Sequence, residues 1–345
     1  MAKAKNKERL NYNAEIKALR ARGPGGVYLL YGPEEYLRER YLDTLRALCL
    51  DEGDTMNHRK LSGQNLDLND LGEAVSALPF FGSRVFVEVR DYDLNRCKDA
   101  ELERLKGILA ELPDFCTLAF VQSLAQAPDG RLAAVKLLKK LGHALAFTEQ
   151  EPAALSGWIA ARFRALGKEI GRGEAEYLLF LAGGNMSALI PEIEKAAAYA
   201  PGPRITRADL DATVHRLPEA DVFAMTDLLA ARRYDEAAGL LGELLGDKDN
   251  HPIFLNSLIG QQVRRLYTAR AAADAGLGRD ETMELLGTSY AFVYNKLRDA
   301  AARCSLEELG RQVCLCAEYD YRMKSTGLDP GALLRELFSR LAAGV

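Results

Sequence analysis

Between Val27 and Thr148 short, unbroken apolar runs alternate with helical patterns, and after Glu149 the runs stop. That change of period constrains the fold more than any other feature. Val27–Tyr31 (VYLLY), Val85–Val89 (VFVEV) and Cys116–Val121 (CTLAFV) are rich in β-branched, aromatic and aliphatic residues and read as buried strands. Arg59–Leu61 adds a short strand and Ala144–Thr148 a last one. Helical spacing fills the gaps: Glu34–Leu50, then Asp67–Leu78 through Leu68, Leu71, Val75 and Leu78, then Leu102–Leu112 stopped by Pro113, then Leu132–Leu141. Strands alternating with helices of this length predict a parallel sheet with helices on both faces.

From Pro152 onward no strand is expected. Helical faces run through Leu155–Phe163, Tyr177–Leu181 and Leu189–Tyr199, and Thr206 with Asp209 forms a capping pair for a fourth helix. A second break falls at Leu217-Pro218. Beyond it the spacing predicts helices over Val222–Ala231, Tyr234–Leu245, Pro252–Ala272, Asp280–Leu286, Tyr290–Ala302, Leu306–Lys324 and Asp329–Ala343. The fold class is therefore α/β plus all-α, divided as an α/β domain over 1–148, a small helical domain over 149–216 and a larger helical domain over 217–345. A chain of 345 residues accommodates this at roughly 100–200 residues per domain.

One connection resists a purely structural reading. Pro79 has no N–H and disfavours helix at Leu78, so the helix from Asp67 stops there. The strand resumes only at Val85. Phe80 and Phe81 lie between, followed by Gly82. Large aromatics on a connection either fold back into the core or project as an anchor for a partner, and both readings are open at this level.

Composition excludes several classes. A net charge of −4 does not suit a protein dominated by nucleic-acid binding. The basic start, MAKAKNKE, has no apolar region behind it, so no signal peptide is expected, and no run reaches the about 18–20 apolar residues of a membrane span. The six cysteines are scattered without a C-x-x-C and only four histidines accompany them, which predicts reduced thiols, with Cys314 and Cys316 buried. No Ser-His-Asp, Cys-His or metal-ligating constellation assembles, so neither a catalytic residue nor a metal site is expected.

An α/β domain followed by a small helical one invites a nucleotide, so the loop after the first strand matters. A phosphate loop needs G-x-x-x-x-G-K-[ST], where glycines admit backbone N–H groups to the phosphates, lysine supplies charge and the hydroxyl holds magnesium. Here Gly32-Pro33-Glu34-Glu35-Tyr36-Leu37-Arg38-Glu39 places Leu37, Arg38 and Glu39 at the second glycine, lysine and hydroxyl positions. Pro33 removes a donor, and Glu34 and Glu35 repel phosphate. No nucleotide cofactor is expected.

These residues resemble a known family. Val27–Leu37 (VYLLYGPEEYL) resembles the opening of the delta subunit of bacterial DNA polymerase III, a clamp-loader subunit, and the resemblance continues in order through Leu78–Val87, the Trp158-Ile159 helix, Gly184–Lys195, Asp221–Phe223, Gln261–Leu266 and Glu318–Lys324. It implies an AAA+-like first domain with a RecA-like parallel sheet, a helical lid and a helical collar used for oligomerisation. It implies a member without ATPase activity, in a DNA-directed DNA polymerase (nucleotidyltransferase) holoenzyme that replicates DNA in the cytoplasm. The arginine finger of the motor subunits has no counterpart at Gly142-His143-Ala144. The implied partners are the β sliding clamp, which the subunit would bind and open, the gamma/tau and delta-prime subunits, and primed DNA within the assembled loader, with no membrane. In the family a Leu-Phe pair on the helix-to-strand turn enters a pocket on the clamp. The matching clamp-binding residues here are Phe80 and Phe81, with Leu78 and Pro79 before them; Phe80 in place of leucine keeps the bulk and changes the shape. An active AAA+ ATPase and a helical scaffold with no clamp function are the competing readings.

Overall fold

The apolar runs pair as one sheet. β1 (Gly26–Tyr31), β2 (His58–Ser62), β3 (Val85–Arg90), β4 (Cys116–Val121) and β5 (His143–Ala146) are all parallel, in the order β2–β3–β4–β1–β5. The three inner strands are buried along nearly their whole length, which is why they are continuous apolar runs, whereas β2 and β5 at the edges are partly exposed. The computed structural model of the chain describes residues 10–344.

Strand order dictates where the helices go. The chain leaves β1 for one edge through α2 (Glu35–Cys49), then returns stepwise through α3 (Leu68–Ser76), α4 (Asp99–Ala110) and α5 (Ala133–Leu141). With right-handed crossovers, opposite directions of travel put α2 on one face and α3, α4 and α5 on the other. Accordingly Leu71, Val75, Leu105, Ile108, Val135 and Leu138 share a core with Val87, Leu118 and Phe120. On the opposite face the Tyr41 ring of α2 lies 6.4 Å from Tyr28 and 5.7 Å from Phe147.

One further helix precedes the sheet and has no counterpart in the predicted elements. α1 (Tyr12–Arg22) buries only Leu19, so it carries no apolar stripe to read. It is held instead by polar contacts: Arg22 donates to Glu15 at 2.8 Å and to the Tyr41 hydroxyl at 2.9 Å.

The chain forms two compact units, one comprising the residues up to Glu151 with Gly184–Ala188, the other Pro152–Gly183 with the residues from Leu189 onward. The second unit holds most of the helices: α6 (Pro152–Ala165), α7 (Arg172–Ala182), α8 (Met186–Tyr199) from Leu189 onward, α9 (Arg207–Thr213), α10 (Pro218–Ala230), α11 (Tyr234–Gly246), α12 (Pro252–Asp274), α13 (Arg279–Leu286), α14 (Ala291–Ala301), α15 (Leu306–Ser325) and α16 (Pro330–Ala343). The 23-residue α12 is its axis, packing against α10, α13, α14, α15 and α16. Leu255, Ile259 and Val263 of α12 meet Leu315, Tyr319, Leu334 and Leu337 of the last two helices. Thr206 and Asp209 close the expected capping box on α9: the Thr206 N–H donates to Asp209 Oδ2 at 2.8 Å, and the Asp209 N–H to Thr206 Oγ1 at 3.3 Å.

Two expectations for this region fail. It contains a small parallel pair, β6 (Glu169–Ile170) with β7 (Arg204–Ile205), whose two-residue strands are too short to show a period. Cys316 is buried as expected, which pushes its thiol up to about 12, but Cys314 is exposed, because neighbours two apart on a helix do not share a face. All six cysteines are free thiols. Among the described residues no helix is long and apolar enough to cross a membrane.

Candidate protein-interaction site

The connection from α3 to β3 lies at the amino ends of the strands. α3 starts on Asp67, whose carboxylate accepts from the Asn69 N–H at 2.8 Å. It ends earlier than the spacing predicts. Ala77 is already extended (φ −68°, ψ 130°), so Leu78 lies beyond the helix and is 77% exposed instead of completing the apolar stripe. Pro79 is half-buried. Phe80 is 53% exposed and Phe81 97%, with their rings edge to face at 4.5 Å. Three large apolar side chains therefore project from one short turn.

The turn has a definite conformation. Phe81 sits at φ +54°, a left-handed backbone uncommon for a bulky residue. Asn57, 2% exposed and immediately before β2, holds Phe80 from both sides: Oδ1 accepts from the Phe80 N–H at 2.7 Å and Nδ2 donates to the Phe80 carbonyl at 2.9 Å. Nδ2 also donates to Asp54 Oδ2 at 2.7 Å, and Asp54 Oδ1 accepts from the backbone N–H groups of Met56 and Asn57 at 3.1 Å each. These bonds, led by the one from the Asn57 side chain, hold the Asp54 carboxyl below the usual carboxylate range. Neither Asn57 nor Asp54 is conspicuous in the sequence: the pair spans one tight turn, and its partner Phe80 is far along the chain.

The loop after β1 occupies the opposite, carboxyl ends of the strands, beside the point where travel along the sheet reverses, where open α/β sheets bind ligands. Its side chains are turned on one another. Gly32 is at φ +119°, and a Cβ there would come 2.2 Å from the Phe147 carbonyl oxygen, so the glycine serves chain packing. Arg38 is 4% exposed and spends its guanidinium inward, donating to the Gly32 carbonyl at 3.0 Å and facing Glu39 at 3.5 Å and Glu35 at 3.7 Å. Arg90, at the end of β3, grips both oxygens of Glu39, at 3.0 and 2.7 Å. Burial pushes the Glu39 carboxyl up, but Arg90 and Arg38 together hold it below its ordinary value. Glu34 is also buried, and that burial raises its carboxyl. Arg90 bonds Glu88 as well, and Glu88 meets His58 Nε2 at 3.1 Å. Burial lowers the His58 imidazole against the pull of Glu88. Among the described residues no three His, Cys, Asp or Glu side chains gather as a metal-binding group.

A five-stranded parallel sheet in this order, carrying helices on both faces and followed by a mostly helical region, is an AAA+-like fold. Two family models match the chain and together cover more than half of it: DNA polymerase III, delta subunit, over residues 28–150, and DNA polymerase III delta subunit, C-terminal domain, over residues 219–341. The DNA polymerase III subunit delta of Bacillus subtilis is 29% identical over 326 residues, covering 90% of this chain and 91% of the relative. A probable DNA polymerase III subunit delta of Aquifex aeolicus is 25% identical, covering 91% of each. A solved structure of the Bacillus subtilis DNA clamp loader delta protein matches the fold with a TM-score of 0.53 at 24% identity, over 96% of this chain and 99% of that one. The chain belongs to the DNA polymerase III delta-subunit family.

Proposed function

We propose that the chain is the non-catalytic clamp-loader subunit that binds the β sliding clamp through Leu78, Pro79, Phe80 and Phe81 and holds one interface of the ring open. The observation that carries this reading is the exposure of Phe80 and Phe81 on a turn whose backbone is fixed: exposed aromatic clusters mark protein-interaction sites, and central aromatic anchors dominate binding energy. Opening is then a matter of differential affinity, since a subunit that binds the strained ring better than the closed one shifts the ring toward opening. Burial on the clamp contributes about 1.5–3 kcal/mol for Phe81 and about half that for Phe80, which is already half-buried. That biases a ring interface without breaking a strong one unaided.

The inward pairing of Arg38 supports a subunit that leaves nucleotide chemistry to its partners. In this reading the sheet domain, residues 1–148, engages the clamp, 149–216 is a lid, and the helices of 217–345 form the collar that joins the gamma/tau and delta-prime subunits. The assembled loader takes primed DNA in the cytoplasm as part of the replicative holoenzyme. The direct test is binding of immobilised sliding clamp by the full chain and by its Phe80→Ala/Phe81→Ala variant. Central anchors cost about 2 kcal/mol or more each on truncation, so the variant should bind at least a hundredfold more weakly. Undiminished binding by the variant refutes the assignment of the site.

A further inference from the structure

We propose that Asn57 is the positioning residue of the anchor: its buried amide fixes the Phe80 backbone and so presets the directions of Phe80 and Phe81 before the clamp arrives. The inference rests on the clamp-binding reading above and adds a residue that lies beneath the contact surface, 2% exposed.

The turn has little else to hold it. The last backbone bond of α3 runs from the Ala77 N–H to the Glu73 carbonyl, and the first of β3 from the Val85 N–H to the Phe115 carbonyl. Among the described residues the backbone from Leu78 to Ser83 is hydrogen-bonded only at Phe80, and both of those bonds go to Asn57. An amide suits this position because it offers one acceptor oxygen and two N–H donors. Here the oxygen takes the Phe80 N–H, and the nitrogen serves the Phe80 carbonyl and Asp54. Asp54 sets which end of the amide faces which partner, because a carboxylate accepts only from the nitrogen. Asn57 is in turn built into the sheet: its own carbonyl accepts from the Phe86 N–H at 2.9 Å. Gly82 leaves room for this, since a Cβ there would come within 2.9 Å of Asn57 Nδ2.

The consequence for binding is pre-organisation. A free loop seldom places a phenylalanine at φ +54°, and a site populated only part of the time binds with its affinity reduced by that fraction. The hold of Asn57 on Phe80 removes that loss at the residue next to Phe81.

The test uses the full chain with three readouts: clamp affinity by surface plasmon resonance, exchange of the Phe80 amide in the free chain by NMR, and thermal melting. Asn57→Ala should weaken clamp binding at least tenfold and strip the Phe80 amide of its protection. Asn57→Asp sets a buried carboxylate oxygen against Asp54 and the Phe80 carbonyl in place of both donors, so it should rescue neither readout relative to Asn57→Ala. Placed on top of Phe80→Ala/Phe81→Ala, Asn57→Ala should cost less than a further twofold. An equal loss in both backgrounds means general destabilisation and overturns the proposal. Unaltered affinity of Asn57→Ala, with binding lost in the phenylalanine variant, overturns it too and leaves the anchor standing. Unaltered affinity of the phenylalanine variant removes the anchor itself. If Asn57→Ala does not fold, Asp54→Ala, which removes the orienting carboxylate and its hold on the Met56 and Asn57 N–H groups, should weaken clamp binding and Phe80 protection in the same direction by less, and unaltered values for both overturn the proposal.

Discussion

Truncating Phe80 and Phe81 together should leave the stability of the free chain nearly unchanged, and the size of the effect follows from their exposure. Complete burial of a phenylalanine stabilises by about 1.5–3 kcal/mol. Phe81 is 97% exposed, so its share is about 0.1 kcal/mol, and Phe80 at 53% exposed contributes about 1 kcal/mol. The edge-to-face pair adds up to about 1 kcal/mol, reduced by its exposure. The double variant should therefore lose no more than about 2 kcal/mol, whereas Phe120→Ala, at 0% exposed in β4, should lose about 3–5 kcal/mol. The probe has to report on the right unit. Trp158 lies in the second compact unit, so its fluorescence does not report directly on the sheet. Amide exchange at Val87 and Leu118, measured against urea, follows the sheet itself. A loss of more than about 3 kcal/mol in the double variant would show that the rings are structural and refute the anchor argument at its root.

Calorimetry with Mg-ATP should show no micromolar binding to the isolated chain, because Arg38 is committed to the Gly32 carbonyl and to carboxylates; a micromolar isotherm refutes this. A chain lacking the collar segment Val222–Val345 should keep clamp binding and lose co-purification with the motor subunits, and normal assembly by the truncated chain would show that the division of labour is wrong. Acid should release the turn late. The Asp54 carboxyl titrates below its unfolded value, so its contribution is complete above the unfolded carboxylate pKa of about 3.9 and is lost as the pH falls through the lower folded value. Clamp affinity that stays flat from pH 8 to pH 5, with the Phe80 amide resonance moving only below about pH 4, fits this; an Asp54-dependent change near pH 6 contradicts it.

The elements legible in the sequence were those whose burial imposes a period. β1, β3 and β4 are covered on both faces and so appear as unbroken apolar runs. α15 and α16 announce themselves by their spacing, and the structure caps them with Ser305 and Asp329. Where burial imposes no period the reading fails, as in α1 with Leu19 alone inside and in the two-residue strands β6 and β7. Leu78 failed for a different reason. It stands three residues after Val75 and continues the stripe in spacing, but the backbone is already extended at Ala77, just ahead of Pro79, and the side chain is left in solvent.

The site itself was half legible, and its missing half is informative. Composition brought Phe80 and Phe81 to notice, yet the spacing left the core and the surface equally open to them, because a connection has no face. What turns them outward is the backbone between Pro79 and Gly82, and that backbone is held by Asn57, whose bonds reach 23 positions along the chain. The loop after β1 shows the same limit. The sequence places an arginine where a phosphate loop needs lysine, and charge alone would let it meet a phosphate. Only the geometry shows the guanidinium donating to Gly32 and facing Glu39, with Glu39 gripped in turn by Arg90 from the end of β3. In both places an aromatic or charged residue identifies a candidate, and a polar partner distant in sequence decides its orientation. Asn57 leaves Phe80 and Phe81 free to meet another surface, while Glu39 and the Gly32 carbonyl engage Arg38 inside the fold.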